Sequence, residues 1–146
     1  MDIDIEKRVE YARELHRNGF NCCQAVVAAY ADIFNIDQTT TLRISASFGG
    51  GMGGMRQTCG AACAMYMLCG LRCGQTKAGD LQTKQNNYLQ VQQLAKKFTD
   101  IHGSTICAEL LGLKKPENPD TVIVKQPCNQ TVGNAARIIG EWLESN

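Results

Sequence analysis

The sequence predicts an all-α fold: a single domain over residues 1–146, built as a bundle of about six to seven helices around one glycine-rich loop. Three observations carry this. Apolar residues recur at helical spacing along most of the chain. Capping residues and Asn-Gly or His-Gly breaks separate those stretches. No internal repeat or low-complexity linker divides a length that suffices for one real core.

The elements follow in order. Ile5, Val9, Ala12 and Leu15 form one apolar stripe, and Asn18-Gly19 closes that helix. Asn21 is a good N-cap for a second helix from about Cys22 to Phe34. A third runs from about Thr39 to Ser47 and stops where the glycines begin. The fourth spans about Thr58 to Leu71, with Gly70 and Gly74 as candidate stops. Asp80 caps a long fifth helix whose stripe is Leu81, the Lys84 stem, Tyr88, Val91, Leu94, Ala95, Phe98 and Ile101. His102-Gly103 breaks it, and Ser104 or Thr105 caps a short helix through Leu111. Lys114 to Pro127 holds all three prolines and reads as a loop, its Thr-Val-Ile-Val run being a candidate extended piece. Asn129 or Thr131 caps the last helix, which turns Val132, Ala135, Ala136, Ile139, Trp142 and Leu143 inward.

Composition narrows the function. A net charge of +1 with scattered charges offers no basic track, so nucleic acid is excluded as a partner. No run approaches the roughly 18 apolar residues of a spanning helix, and the acidic, amphipathic start has no apolar signal core. A soluble, cytoplasmic protein is expected, with no membrane insertion. In a reducing compartment eight cysteines point to metal binding or thiol redox chemistry rather than a disulfide framework. A single cysteine is as readily a small buried hydrophobe; eight together are not.

The stretch FGGGMGGMRQTCGAACAMYMLCGLRCG concentrates the signal. Its glycines lack the Gly-Lys-Ser/Thr ending and the preceding strand of a phosphate loop, so a nucleotide is a poor fit. Glycine also permits positive φ and close backbone approach. Gly49, Gly50, Gly51, Gly53 and Gly54 are therefore read as a cradle for the Cys59 sulfur or whatever it binds. Alanine at a compatible backbone angle there would raise stability by roughly 0.4–1 kcal/mol. Cys59 falls in the first turn of a helix, where free amides favour a thiolate. Cys59, Cys63, Cys69 and Cys73 fall within a sector of about 120° if the helix is continuous. Cys59 with Cys63, and Cys69 with Cys73, are i, i+4 pairs. Cys22 and Cys23 diverge by about 100°, so one compact site takes only one of them, and periodicity does not choose between two apolar faces. Cys22, Cys59, Cys107 and Cys128 all lie at or near helix starts. His16 reads as solvent-facing, and His102 as a helix-end residue facing the dipole. No Cys-x-x-Cys occurs, which argues against a thioredoxin pair and c-type haem attachment. Met52 and Met55 are candidate soft ligands, more simply read as gap fillers.

The stretches NCCQAVVAAYADIF, FGGGMGGMRQTCGAACAMYMLCGL, FTDIHGSTICAELLG and PCNQTVGNAARII, in that order, resemble the C-GCAxxG-C-C family of redox-active proteins. By position the family's cysteines correspond to Cys22, Cys59, Cys107 and Cys128. Ala64 stands where the family's CGAxxG element ends in glycine, and Cys23, Cys63, Cys69 and Cys73 are additional to the signature. The family is related to the cysteine-bearing part of split-Soret cytochrome c, which implies an iron–sulfur cluster, [2Fe–2S] or [4Fe–4S], and an electron-transfer role. It also implies an unidentified redox partner and a link to a transporter; a homodimer is compatible with it. The alternatives are a thiol–disulfide protein in which Cys59 attacks and Cys63 resolves, a structural zinc site, and a soft-metal module serving a transporter.

Overall fold

The computed structural model describes residues 2–146, whose regular structure is helical, with no strand among the described residues. Seven α-helices follow in order: α1 (Ile5–Arg17), α2 (Cys22–Ala28), α3 (Gln38–Ala46), α4 (Gly60–Cys73), α5 (Leu81–His102), α6 (Cys107–Leu110) and α7 (Cys128–Ser145). None is long and apolar enough to cross a membrane.

Local sequence sets most of the boundaries. Asp4, Asp37 and Asp80 each accept a first-turn backbone N–H at the starts of α1, α3 and α5. Asn21 and Gln24 complete a reciprocal capping box at the start of α2. Gly103 ends α5 in the left-handed conformation. Two expected caps move. Pro127 precedes α7, and Ile106 precedes α6, whose N–H is held by the Ser104 hydroxyl at 2.9 Å.

α4 is the central element and packs against α2, α5 and α7, while α1 lies along α7. Its first six residues, Gly60 to Met65, are all buried, as are Leu68 and Cys69. The inward set expected for α7 is buried throughout. The α5 stripe is only half buried: Leu94 and Phe98 are enclosed, whereas Leu81, Tyr88 and Ile101 stay exposed. At 22 residues α5 outruns the 14-residue α4, so the shorter helix covers only part of its length.

The second helix also departs from expectation, ending at Ala28 and passing through Tyr30 into a 3₁₀ turn, Ala31–Phe34. The cause is long-range. Arg8 donates to the Ala29 carbonyl at 2.8 Å and pairs with Asp32, and its guanidinium lies 5.4 Å from the centre of the Tyr30 ring. Tyr30 is fully buried and donates its hydroxyl to Ala136 O at 2.6 Å. Breaking the helix here places Tyr30 between α1 and α7 and caps the carbonyl it frees.

Tyr30→Phe should therefore keep the fold and lower its stability by about 1 kcal/mol, the net value of one buried hydrogen bond. Urea unfolding followed by circular dichroism measures this; an unchanged midpoint would mean the bond does not hold the break in place.

Candidate thiol site

The glycines between α3 and α4 build a left-handed turn. Five consecutive residues have positive φ: Gly50 (62°), Gly51 (71°), Met52 (69°), Gly53 (63°) and Gly54 (78°). An L-residue in a left-handed conformation costs about 1–2 kcal/mol, which glycine avoids, so of these five only Met52 bears that strain, joined just beyond by Arg56 (60°). The turn reverses the chain and delivers Arg56 to Cys59 alongside residues 105–108. There Cys59 N–H donates to Thr105 O at 2.7 Å, Cys107 N–H to Gln57 O at 2.6 Å, and Ala108 N–H to Arg56 O at 3.1 Å, around an antiparallel Thr58–Ile106 bridge. This short pairing sets Cys59 beside Cys107. A Cβ on Gly51 would come within 2.6 Å of both the Cys107 Cβ and the Arg56 Cα.

The loop and four helix starts enclose a cavity of about 70 Å³ lined by Cys22, Cys59, Cys107 and Cys128, with Gly50, Gly51 and Arg56 on its wall. Cys22, Cys107 and Cys128 are the first residues of α2, α6 and α7, and Cys59 is the N-cap of α4. Gly49, Gly53 and Gly54 do not line it. Gly49 instead packs against the Asn21 side chain, whose amide holds Ala46 O. All eight cysteines are free thiols. Among the described residues no three His, Cys, Asp or Glu side chains are gathered tightly enough to hold a single metal ion. A larger cleft of about 550 Å³ beside α1, lined by Lys7, Arg8, Tyr11 and Asp32, contains no thiol.

The remaining cysteines sit elsewhere. Cys23 is completely buried with its thiol 3.8 Å from Met67 Sδ, so the two neighbours divide between site and core. Cys63 is buried one turn into α4, with its thiol 3.9 Å from Thr58 O, and does not line the cavity. Cys69 and Cys73 lie near the far end of α4.

The thiols are electrostatically unequal. Cys59 receives the amides of Ala61 and Ala62, as a helix start should provide, but burial outweighs them and pushes it up to about 11. Cys128 moves the other way, to about 6. The neighbouring Cys22 thiol lowers it, and the Arg56 charge adds to the effect. Cys22 is raised in turn by Cys128 and by burial. The two titrate together, with the thiolate favoured at Cys128.

His16, Asn129 and Arg56, none of which the sequence assigns to the site, complete the arrangement. His16 is half-buried rather than solvent-facing, with Nε2 3.8 Å from Cys22 Sγ. Asn129 accepts Arg13 Nε on Oδ1, so its amide nitrogen donates to Arg13 O and to His16 Nδ1 at 3.1 Å. His16 therefore carries its proton on Nε2, facing the sulfur. Arg56 Nη1 lies 3.7 Å from Cys107 Sγ. It is the one charged residue between Arg43 and Arg72, and a lone charge in so apolar a stretch was the available signal. His102 does end α5, but its ring is buried against Phe98, and Gln126, on the cavity wall, meets its Nδ1 at 2.6 Å.

A family model described as "Putative redox-active protein (C_GCAxxG_C_C)" matches residues 20–142. No curated protein and no solved structure matches the chain. His16 lies outside the matched span.

In the reduced, metal-free chain iodoacetamide should label Cys128 ahead of Cys59, with a rate that falls only as pH drops through about 6. Arg56→Met should move that fall to higher pH. A depressed thiol value means stability complete above the ordinary value of 9.0 and lost as pH falls through about 6. The raised value of Cys59 acts in the opposite sense, its contribution full below 9.0 and lost as pH rises through about 11. Mass-mapped labelling across pH decides this; faster labelling of Cys59 would reverse the order. Gly51→Ala cannot give the stability gain expected of a compatible angle, because its φ is positive and the space is taken. It should cost more than about 1 kcal/mol and expose Cys107 to alkylation.

Proposed function

This chain belongs to the C_GCAxxG_C_C family of redox-active proteins, and on that premise we propose that Cys22, Cys59, Cys107 and Cys128 hold an iron–sulfur cluster used in electron transfer. The observation that carries the reading is the convergence of these four cysteines, from four separate helix starts, on one cavity. Four thiolates are the ligand complement of a [2Fe–2S] or [4Fe–4S] centre, which would supply one-electron chemistry. The donor set fits such a group: four sulfurs line the cavity, and a Cβ on Gly51 would intrude on Cys107. Each thiol must lose its proton to become a ligand, and helix-start amides and Arg56 favour the resulting negative charge. The Nε2–H of His16 faces Cys22, the kind of donor that tunes a ligating sulfur. A zinc ion bonded at about 2.3 Å asks its sulfurs to lie about 3.8 Å apart. A cluster spreads its ligands over several iron atoms and so suits a wider ring of cysteines.

A second reading rests on the Cys22–Cys128 pair. A Cys128 held toward the thiolate on the same cavity wall as Cys22 is the arrangement of an attacking and a resolving thiol. It assigns thiol–disulfide exchange to this pair in preference to Cys59 and Cys63, whose sulfurs are both buried. In that exchange Cys128 sulfur displaces one thiolate of a substrate disulfide. Cys22 then attacks the mixed disulfide and releases the second, with the two electrons passing to the substrate.

Anaerobic purification separates the readings. The cluster reading expects a brown protein with iron and acid-labile sulfide, and loss of colour in Cys107→Ser, which leaves the exchange pair intact. It also expects reconstitution to be more complete at pH 8 than at pH 6, because uptake releases protons. A colourless, iron-free protein that cannot be reconstituted and reduces a small disulfide through Cys128 would favour exchange.

A further inference from the structure

We propose that Cys69 and Cys73 form a second, independent site: a two-thiolate clamp for a soft divalent cation of the zinc and cadmium class. The two sulfurs lie 3.8 Å apart near the C-terminal end of α4, and neither belongs to the four-cysteine cavity. Along a helix rising about 1.5 Å per residue, they stand about 15–20 Å from Cys59. From α5, the Asn87 amide nitrogen lies 3.6 Å from both sulfurs. One side chain from a neighbouring helix thus addresses the pair as a unit.

Geometry separates the two things such a pair can do. An ion bonded at about 2.3 Å to sulfurs 3.8 Å apart subtends an angle of about 110° between them, the tetrahedral value. The sulfur separation itself needs no change. A disulfide asks for Cβ atoms about 3.5–4.5 Å apart, whereas i, i+4 residues on an intact helix hold theirs about 5–6 Å apart. The helix thus keeps the two thiols within reach of a shared ion and out of reach of each other. Cation uptake forms two metal–sulfur bonds and releases two protons to solvent, with no change in oxidation state.

Access and selectivity follow from placement. Cys69 is completely buried, while Cys73 is half-buried on the wall of a surface cleft of about 230 Å³ shared with Arg72, Asn86, Gln90 and Trp142. No Asp or Glu side chain lines that cleft, which Asn146 also borders, and the two sulfurs select for a soft cation. Solvent from the cleft completes the coordination. With both N–H bonds of its amide available, Asn87 steadies the negative sulfurs before and after the ion arrives.

The test is a cadmium titration of the reduced full-length chain under anaerobic conditions, read by thiolate-to-cadmium absorbance in the ultraviolet. The Cys69→Ser/Cys73→Ser variant should bind one equivalent fewer than the parent chain. Cys22→Ser/Cys128→Ser should retain that equivalent whether or not the cavity takes a cluster, so the two assignments fail separately. Asn87→Ala should weaken the clamp roughly tenfold or more, as loss of a supporting partner does. If the double variant does not fold by circular dichroism, Cys73→Ser alone, at the helix end, should still lose the equivalent. Equal stoichiometry in parent and variant overturns the proposal. So does conversion of Cys69 and Cys73 to a disulfide by oxidised glutathione with the helix content unchanged.

Discussion

The molecule turns on the left-handed passage from Gly50 to Gly54. Without it, Arg56 to Cys59 could not run antiparallel to residues 105–108, and Cys59 and Cys107 would have no reason to meet. The constraint is steric before it is energetic. Right-handed backbone is the default for L-residues because the alternative presses Cβ against the following carbonyl, and five residues in succession here take the alternative. That explains the density of glycine better than a ligand-cradling role spread evenly over the loop. Gly50 and Gly51 face the cavity, while Gly53 and Gly54 serve the turn. Phosphate loops use glycine for a different end, aiming amides at an anion; here the backbone folds back and pairs with a distant segment.

Around that passage the bundle works as a frame that points helix starts inward. α4, enclosed by α2, α5 and α7, fixes the axis, and its N-terminal end is where the others converge. Helix starts bring donors and positive potential, yet the thiols they carry do not respond alike. Burial dominates at Cys59 and partnership dominates at Cys128, so the same local motif yields one thiol held protonated and one held as thiolate. Position on a helix is therefore a poor guide to which sulfur reacts, while the neighbours gathered by the fold are a good one. Arg56 and Cys22 decide the matter, and both lie far from Cys128 in sequence.

What could be read in advance divides along the same line. The starts of α2 and α5 were legible because Asn21 and Asp80 act within three residues of themselves, as Asp4 and Asp37 also do unread at α1 and α3. The inward face of α7 was legible because its spacing is regular. The set Cys22, Cys59, Cys107 and Cys128 could be named from helix-start placement and family pattern together. The break after Ala28 was not legible, because Arg8 and Ala136 impose it from other helices. Periodicity alone did not choose between Cys22 and Cys23, because both faces are apolar; the family pattern did, and Cys23 packs in the core against Met67. His16 looked like an ordinary surface histidine until Asn129, a hundred residues away, supplied the partner that orients it. Local rules fix the elements, and long-range partners fix the chemistry.

The span of the four cavity cysteines, from residue 22 to residue 128, has a consequence for how the chain is held closed. Anything gripping all four sulfurs ties three successive stretches of polypeptide into loops, and so restricts the unfolded ensemble as cross-links do. The grip also waits on translation: until Cys128 emerges, the ring is one sulfur short. Between Cys107 and Cys128 a nascent chain therefore carries three of the four thiols, unclosed, and α7 both packs the core and completes the ring.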